Sequence, residues 1–240
     1  MNIHYLKGLC RSSLLEVQTV RHVMDDSYLV YLLKKPDLTW NPGAHGICTL
    51  PGVKVKGKPF RAFSIASIPR EGIVLLGMRT GKVPSDFKGH LLAMKPGDTV
   101  RIRGPFGWFV KRDSHSPMVL IARGVGITPM RALILSADDS RDVPVHLIHR
   151  ARKHLFRDRF EALEKNNPLL TLTFPEEDQE FQREISLAVE RFSGSAYWYL
   201  AASPGEVRRL KHLLRAAGIK RNRIITDPFF GYSRSYSDLP

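Results

Sequence analysis

The sequence predicts two successive domains, an antiparallel β-barrel followed by a doubly wound domain with a parallel sheet. Up to about residue 114, short apolar segments are separated by turns rich in Pro and Gly, which is typical of a small antiparallel barrel. Beyond that point apolar strands alternate with helix-length amphipathic segments, and parallel strands need such connections. We therefore predict a boundary between residues 113 and 114, which gives domains 1–113 and 114–240.

In the first half, four segments have a strand-like composition between turn signals, and one segment has a helical pattern. The predicted strands are 27–33, 59–66, 72–79 and 99–103, and the predicted helix is about 84–94. Pro and Gly clusters predict turns at 41–43, 51–52, 96–98 and 104–105.

In the second half, strands and helices follow each other in turn, so we predict an open α/β sheet with helices on both faces. The predicted strands are 118–122, 143–149, 169–174, 197–201 and 223–226. The predicted helices are 128–137, 155–165, 178–192 and 204–217.

The composition indicates a folded protein with a strong positive charge. The chain has 240 residues, of which 43% are hydrophobic, which is enough apolar material for two packed domains. Lys and Arg outnumber Asp and Glu by 37 to 23, a formal net charge of +14. Residues 1–114 carry 18 basic and 8 acidic side chains, a net charge of +10. Such a field attracts nucleic acid, membrane surfaces, phosphate-rich cofactors or acidic proteins, and charge alone does not distinguish them.

Several classes of protein are disfavoured by the sequence. No stretch approaches the roughly 18 apolar residues of a membrane-spanning helix, and charged residues interrupt the N-terminal segment where a secretion signal needs an apolar core. Cys10 and Cys48 have no CxxC spacing, so neither an iron–sulfur cluster nor a disulfide framework is predicted. We expect a cytoplasmic protein with no metal site, in which His149 and His154 lie at the surface.

One strand-to-helix turn of the second half, residues 122–129, has the residue types of a phosphate site. Gly124 and Gly126 allow backbone N–H groups to approach an anion, Thr128 is a candidate N-cap, and Pro129 suits a first helical turn. The helix N-terminus would then offer an anion site. Because the third Gly of the dinucleotide-binding pattern is missing, a turn with only a structural role explains these residues equally well.

Two further turns of this half carry polar residues. Ser203 and Glu206 have the spacing of a capping box, with Pro204 at the first helical position, and a well-capped helix explains them without a ligand. Three cations follow the second strand, where a doubly wound fold meets the adenosine ribose of a dinucleotide, and they would suit a 2′-phosphate. A solvated helix start is an equal alternative. These cations are Arg150, Arg152 and Lys153.

In the first half, the segment Arg61-Ala-Phe-Ser64 is dense in chemical types. Alternation places Arg61 and Phe63 on one face of the strand and the other two residues on the opposite face. A guanidinium can bind a diphosphate, a ring can stack on a planar cofactor, and a hydroxyl can donate to a ring nitrogen. By itself the segment is typical of an ordinary amphipathic strand. Downstream, residues 81–85 open the predicted helix with free N–H groups that could receive another phosphate.

Taken in order, these pieces resemble the ferredoxin-NADP reductase superfamily over nearly the whole chain. Each motif is weak alone, but six in this order, with a barrel before a doubly wound domain, are specific. The resemblance implies an oxidoreductase with FAD in domain 1–113 and a nicotinamide nucleotide in domain 114–240, NADP(H) being favoured over NAD(H). The motifs are Arg61-Ala-Phe-Ser64, 81–85, Pro96-Gly-Asp98, Gly104-Pro-Phe-Gly107, Gly124-Val-Gly-Ile-Thr-Pro129 and Asp227-Pro-Phe-Phe-Gly-Tyr232.

The resemblance also implies roles for individual residues. Arg61 would contact the flavin diphosphate, Phe63 would pack by the flavin, and Ser64 would hydrogen-bond near its N5 atom. The implied catalytic residues are Ser64, Asp227 and Phe230. The other implied cofactor-binding residues of the first domain are Ala62, Met78, Arg79, Val83, Pro84 and Ser85. Those of the second domain are Gly124, Val125, Gly126, Thr128, Pro129, Arg150, Arg152, Lys153 and Ser203.

The sequence departs from the family's pattern at three places. Ala201 stands where many relatives carry a Cys or Ser, which puts the usual polar contact beside the nicotinamide in question. Arg123 stands where Gly is more common, so its side chain could reach the nucleotide phosphates. Because the chain continues past Tyr232, the flavin-side ring could be Phe230, Tyr232 or Tyr236.

The missing cluster motif implies that electrons pass to a separate acceptor. A flavin can take up two electrons as one hydride and pass them on singly. The positive first half suggests an acidic carrier of the ferredoxin or flavodoxin type. The alternative is an electron-transfer or redox-sensing flavoprotein component of a larger complex, with little turnover of its own. Nucleic acid is disfavoured as a partner, since Lys54-Val-Lys-Gly-Lys58 lacks interleaved aromatic residues. The sequence leaves open whether the protein is a monomer or a dimer.

Overall fold

The computed structural model describes Gly8 and residues 10–229 of the chain. Contacts divide the chain into two compact units. The first unit ends at Val110 and also includes Arg131–Leu133, and the second begins at Lys111.

The first unit is built on a six-stranded antiparallel sheet with the strand order β4-β3-β6-β1-β2-β5. An antiparallel bridge between Ile65, just after β4, and Leu76 of β5 joins the two outer strands of this sheet. The sheet therefore closes into a barrel, and the predicted barrel is confirmed. The elements are β1 (Ser12–Met24), β2 (Ser27–Leu33), β3 (His45–Thr49), β4 (Phe60–Ser64), β5 (Ile73–Arg79), α1 (Asp86–Leu92) and β6 (Thr99–Phe106).

Alternating side chains fill the barrel. Leu15 and Val17 on β1 are at most 1% exposed, whereas Glu16 between them is exposed, as the two-residue period of a strand requires. Phe87 and Leu91 are four residues apart on α1 and share one face, so both reach the same core and both are fully buried. Burying each such side chain contributes about 1.5–3 kcal/mol, which holds the short α1 against the barrel.

The second unit contains a five-stranded parallel sheet with the strand order β11-β10-β7-β8-β9. This is the order of a doubly wound sheet, and the predicted fold class is confirmed. The strands are β7 (Met118–Arg123), β8 (Val145–Arg150), β9 (Leu170–Thr173), β10 (Tyr197–Ala202) and β11 (Ile224–Pro228). The helices are α2 (Ile127–Ser140), α3 (Arg157–Glu164), α4 (Asp178–Phe192) and α5 (Pro204–Ala216).

Both faces of the parallel sheet are covered. Val119 and Ile121 pack in a cluster with apolar residues of α4 and α5. Leu120 lies between them and points to the other face, yet it is also fully buried. Apolar residues therefore run continuously along β7, as expected for a parallel strand buried on both sides.

Two strands and one turn differ from the sequence prediction. Strands β1 and β3 are not among the predicted elements. The predicted turn at Gly104-Pro105 lies inside β6, because this strand continues to Phe106 in register with β3. Among the described residues, no helix combines the length and the apolar character that crossing a membrane would need.

Candidate functional site

In the first unit, Arg61 and Phe63 lie on the same face of β4, as alternation predicts. Both approach Phe87 of α1: the Cζ atom of Arg61 is 5.5 Å from the centroid of that ring, and the two phenylalanine centroids are 6.4 Å apart. Phe63 is only 6% exposed and belongs to the barrel core. The Arg61 guanidinium donates to the backbone carbonyl oxygens of Lys58 and Phe60, at 3.0 and 2.8 Å, and these bonds hold it beside the strand.

Lys88 of α1 places a third positive charge near the guanidiniums of Arg61 and Arg79. Its ammonium donates to the backbone carbonyl of Arg79. Burial lowers the pKa of Lys88 to about 8, and the charges of Arg61 and Arg79 contribute to the shift. The cost of holding these charges together would be relieved by an anion, so this set of donors suits a diphosphate.

One carboxylate, Asp26, offsets part of this positive charge. Its oxygens accept from Nε and Nη2 of Arg79 at 2.8 and 3.1 Å, and from the backbone N–H of Gly81 at 2.9 Å. Burial by itself would raise the pKa of Asp26, but the bonds and charge of Arg79 bring the pKa below its ordinary value. The ion pair ties the end of β5 to the turn before β2, so it fixes where the segment 79–81 lies.

The other candidate residues of this unit are spread around the same elements. Ser64 is 5% exposed and lies opposite His45 in the β3–β4 pair. Met78 is fully buried, whereas Ala62 is exposed on the other face of β4. The remaining three lie exposed before α1: Val83, Pro84 and Ser85.

The sequence analysis missed Lys88 and Asp26. Lys88 lies three residues beyond Ser85 in the predicted helix, so a basic residue one turn inside that helix was a usable signal. Asp26 had no such signal, because its partner Arg79 is 53 positions away.

In the second unit, Gly124–Gly126 form a 3-10 turn between β7 and α2. Helix α2 begins at Ile127, so Thr128 is the second helical residue and the prediction that it is the N-cap was wrong. Its hydroxyl donates instead to the carbonyl of Val125 at 2.9 Å. Thr128 is fully buried, which favours this internal bond over an exposed capping position.

Gly126 is held against β10. A Cβ atom at this position would lie 2.0 Å from the backbone oxygen of Ala201, although φ of Gly126 is −58° and would suit any residue. Close packing therefore requires this glycine. Gly124, in contrast, has a φ of +53°, a conformation that side chains disfavour.

The carbonyl of Gly124 lies 3.0 Å from Nε2 of His149 at the end of β8. Since a carbonyl only accepts, this nitrogen carries the proton, and Nδ1 of His149 accepts from Nδ1 of His154 at 3.2 Å. His149 is fully buried, so the expectation that it lies at the surface was wrong. Burial lowers the pKa of His149 to about 3, and the adjacent His154 adds to the shift. The described residues contain no group of three or more side chains able to hold a metal ion.

Arginines at the ends of β7 and β8 share a carboxylate. Nη2 of Arg123 and Nε of Arg150 lie 2.5 and 3.2 Å from Oδ1 of Asp178, the first residue of α4. Nη1 of Arg123 also lies 3.3 Å from Glu206 of α5, which pairs with Arg209 at 2.8 Å. This group lies at the carboxyl edge of the sheet, where doubly wound domains bind ligands.

The other predicted residues of the second unit lie close to this edge or beyond the described residues. Ser203 is the N-cap of α5 and accepts from the backbone N–H of Glu206 at 3.4 Å, with Pro204 at the first helical position as predicted. Asp227 lies opposite Ala201 in the β10–β11 pair. Arg152 and Lys153 are exposed in the turn after β8, Val125 and Pro129 are buried, and Phe230, Tyr232 and Tyr236 lie outside the described residues.

Comparison with solved structures identifies the fold. The chain matches a ferredoxin-NADP+ reductase from Plasmodium falciparum with a TM-score of 0.77 and 13% identity, over 95% of this chain and 100% of that one. It matches a cytochrome P450 reductase of Amycolatopsis with a TM-score of 0.76 and 22% identity, over 91% of this chain and 70% of that one. The chain has the fold of the ferredoxin-NADP reductase superfamily. A ferredoxin-NADP+ reductase from Neisseria gonorrhoeae also has this fold, with a TM-score of 0.73 and 16% identity over 90% of this chain and 98% of that one.

Sequence comparison finds relatives among the components of Na(+)-translocating NADH-quinone reductases. One such component, in Klebsiella pneumoniae, is 35% identical over 132 residues, which are 49% of this chain and 32% of the relative. The component of the same name in Idiomarina loihiensis is 26% identical over 206 residues, 74% of this chain and 50% of the relative. The chain thus spans half or less of these relatives. No family model matches it.

Proposed function

We propose that this chain is an FAD-dependent oxidoreductase that passes electrons between a nicotinamide nucleotide and a separate one-electron carrier. The observation that carries the proposal is the cation cluster of Arg61, Arg79 and Lys88, where a half-buried ammonium lies beside two guanidiniums in a barrel of this fold. Such a cluster suits the diphosphate of a flavin nucleotide. The ferredoxin-NADP+ reductase from Neisseria gonorrhoeae, which has this fold, is described with bound FAD and NADP.

For the flavin, the barrel supplies contacts of three kinds. Arg61 and Lys88 would bind the diphosphate, Phe63 would pack beside the ring system, and Ser64 would donate a hydrogen bond near N5. A bound flavin supplies the conversion between hydride transfer and single-electron transfer. Domain 1–113 is thus proposed as the FAD-binding domain, with further contacts from Ala62, Met78, Arg79, Val83, Pro84 and Ser85.

For the nicotinamide nucleotide, the carboxyl edge of the parallel sheet in domain 114–240 supplies the contacts. The turn Gly124–Gly126 brings backbone N–H groups to the start of α2, and the cations after β8 would hold a 2′-phosphate. We therefore propose NADP(H) over NAD(H), while the relatives named NADH-quinone reductase make NADH the necessary comparison. Proposed contacts also include Val125, Thr128, Pro129 and Ser203, and Asp227 and Phe230 stay proposed catalytic residues with Ser64.

The proposed partner is an acidic carrier of the ferredoxin or flavodoxin type. Support comes from the net charge of +10 in residues 1–114 and from a ferredoxin reductase of carbazole 1,9a-dioxygenase among the structures of this fold, with a TM-score of 0.74. A cytoplasmic location is part of the proposal, and the free thiols of Cys10 and Cys48 suit a reducing compartment.

A second candidate is an electron-transfer component of a larger complex. The observation that favours it is the name of the sequence relatives, each of which is one component of an NADH-quinone reductase. Turnover with NADPH and an artificial one-electron acceptor separates the two candidates. The free enzyme should reduce the acceptor repeatedly, whereas a component of a complex should turn over slowly by itself.

The decisive experiment follows the flavin by absorption. Purified protein, or apoprotein given FAD, should be yellow, and its flavin bands should bleach when NADPH is added without oxygen. Arg150→Ala should reduce the preference for NADPH over NADH, and Arg208→Ala, an exposed arginine on α5, is the matched control. Protein that stays colourless and takes up no FAD would overturn the flavin proposal, and an unchanged preference would overturn the role of Arg150.

Electron delivery to an acidic carrier should depend on salt. The rate of carrier reduction should fall as ionic strength rises, because screening weakens attraction between the positive barrel and a negative partner. The rate with a small neutral acceptor is the internal control and should change little. Equal rates at low and high salt would contradict the electrostatic docking.

A further inference from the structure

Two arginines meet side by side at the carboxyl edge of the parallel sheet. Arg123 ends β7, Arg150 ends β8, and the strand register pairs the two residues directly. Two positive side chains at this spacing repel each other unless an anion lies between them. Here the anion is internal, since both guanidiniums lie within 3.2 Å of Oδ1 of Asp178.

The arginine side chains are less exposed than the carboxylate between them. Arg123 lies over the ring of Phe181, 5.4 Å from its centroid, and also pairs with Glu206. The side chains of Arg123 and Arg150 are 27% and 19% exposed, whereas that of Asp178 is 60% exposed. An exposed carboxylate can turn into water at little cost, because exposed ion pairs contribute little free energy. The two guanidiniums therefore form an anion site that Asp178 occupies and that another anion could take over.

The geometry points to Asp178 as an internal competitor for the phosphate of a 2′-phosphorylated nucleotide, and thus as a residue that sets coenzyme preference. This inference rests on the proposed nucleotide site in domain 114–240. A phosphate carries more charge and more acceptor oxygens than a carboxylate, so it can displace Asp178 from the two guanidiniums. A nucleotide with a free 2′-hydroxyl leaves the ion pairs in place, because it brings no second anion to the two guanidiniums.

Asp178 should therefore lower the affinity for nucleotides with a 2′-phosphate and leave the affinity for those without one nearly unchanged. Binding of a 2′-phosphate breaks two ion pairs, whereas binding of the unphosphorylated form breaks neither. The alternative is that Asp178 only stabilises the start of α4 through the helix dipole. A neighbouring acidic residue, Glu177, precedes α4 and allows the two explanations to be separated.

The experiment compares two probes by isothermal titration calorimetry with the full chain: adenosine 2′,5′-bisphosphate and adenosine 5′-phosphate, which differ only in the 2′-phosphate. Asp178→Asn should raise the affinity for the bisphosphate by about fivefold, the change expected for a lost ion pair of this exposure. The affinity for the monophosphate should change by less than about twofold. Asp178→Ser, which keeps a side chain suited to a helix start, should behave in the same way.

Two further variants serve as controls. Glu177→Gln removes one negative charge from the same helix end, and its ratio of the two affinities should stay at the wild-type value. In an Arg150→Ala background, Asp178→Asn should lose part of its gain, because only the ion pair with Arg123 then competes with the phosphate. Equal gains for both probes, or no gain with either Asp178 variant while both probes bind, would overturn the inference and leave the nucleotide site standing. Failure of both probes to bind any variant would overturn the site together with the inference.

Discussion

Lys88 donates a hydrogen bond from its ammonium to the backbone carbonyl of Arg79, across the turn that leads from β5 into α1. The guanidinium of Arg79 pairs with Asp26. The backbone carbonyl of Arg79 thus accepts from Lys88, while its side chain donates to Asp26. Because the pKa of Lys88 is lowered to about 8, its protonation can respond to a bound anion near neutral pH.

The first prediction is that FAD affinity depends on the charge of Lys88. Its pKa is lowered to about 8, chiefly by burial, and a bound diphosphate favours the charged form. Affinity should therefore be highest below pH 8 and should fall as the pH rises through that value, because the free protein then loses the ammonium. Fluorescence titration of the apoprotein with FAD on both sides of this pH measures the slope.

Lys88→Met removes the charge and keeps the length of the side chain. It should weaken FAD binding by about tenfold at neutral pH and remove the pH dependence above it. Lys95→Met, at an exposed position after α1, should leave both properties unchanged. A wild-type affinity that is flat with pH, or an equal effect of the two substitutions, would show that Lys88 does not face the diphosphate.

The second prediction concerns acid stability. Burial lowers the pKa of His149 to about 3 in the folded protein, whereas the unfolded chain titrates near the ordinary value of 6.5. Between these values the unfolded state binds one more proton, so the free energy of unfolding should fall as the pH falls below 6.5 and level off near 3. The slope for this residue is at most about 1.4 kcal/mol per pH unit. Urea unfolding at several pH values measures it.

His149→Gln should flatten this dependence, because an amide can still donate to the Gly124 carbonyl but does not titrate in this range. Burial also lowers the pKa of His146, to about 4. Part of the acid sensitivity should therefore persist in the His149→Gln variant. His115→Gln is the control, since that side chain is 80% exposed. If the His149 and His115 variants had the same acid dependence, the buried histidine would not be the source of the effect.

Local patterns were sufficient for most of the fold. Helix α4 has the predicted bounds, and β2 does too, because amphipathic or apolar runs with clear flanking turns specify such elements locally. Strand β3 was missed because His45–Thr49 is short and contains Gly46, so its strand conformation depends on pairing with β4 and β6. Strand β1 was missed because its register shifts between Val17 and Thr19, which breaks the two-residue period of the apolar side chains.

The sites were predictable only in part. The glycine turn and the basic residues after β8 are signals carried by neighbouring residues in the chain. The pairs that organise the sites are not: Arg123 and Asp178 are 55 positions apart, and Asp26 and Arg79 are 53 apart. Neither pair has a spacing that sequence periodicity could reveal, because tertiary packing brings the partners together.

The third prediction tests the packing of the glycine turn. Gly126→Ala should reduce the free energy of unfolding by about 1–3 kcal/mol, because the new methyl group must push the turn away from the backbone of Ala201. It should also weaken nucleotide binding, since the same turn leads into α2. Chemical unfolding and calorimetry with adenosine 2′,5′-bisphosphate measure the two effects.

Gly205→Ala is the matched control for this substitution. Gly205 lies in the first turn of α5, and apart from its chain neighbours and the backbone of this helix no atom lies within 4 Å of an added Cβ. This variant should be as stable as the wild type or more stable by up to about 1 kcal/mol, because alanine favours helices over glycine. Equal stability of the Gly126 and Gly205 variants would mean that the turn can move aside without cost.

The fourth prediction separates a hydroxyl proposed to act on the flavin from one that stabilises the barrel. Ser64→Ala should slow flavin reduction by NADPH by about tenfold to a hundredfold while FAD stays bound, because a donor near N5 is lost. Ser67 is also buried, but its hydroxyl donates to the carbonyl of Ile73 and accepts from the N–H of Leu75. Ser67→Ala should therefore lower the free energy of unfolding by about 1 kcal/mol and leave the rate per bound flavin unchanged.

Stopped-flow absorption of each FAD-loaded variant measures the rate of flavin reduction, and urea unfolding measures the stability. If Ser64→Ala lost only stability, or if both variants slowed reduction equally, the role proposed for Ser64 would be refuted.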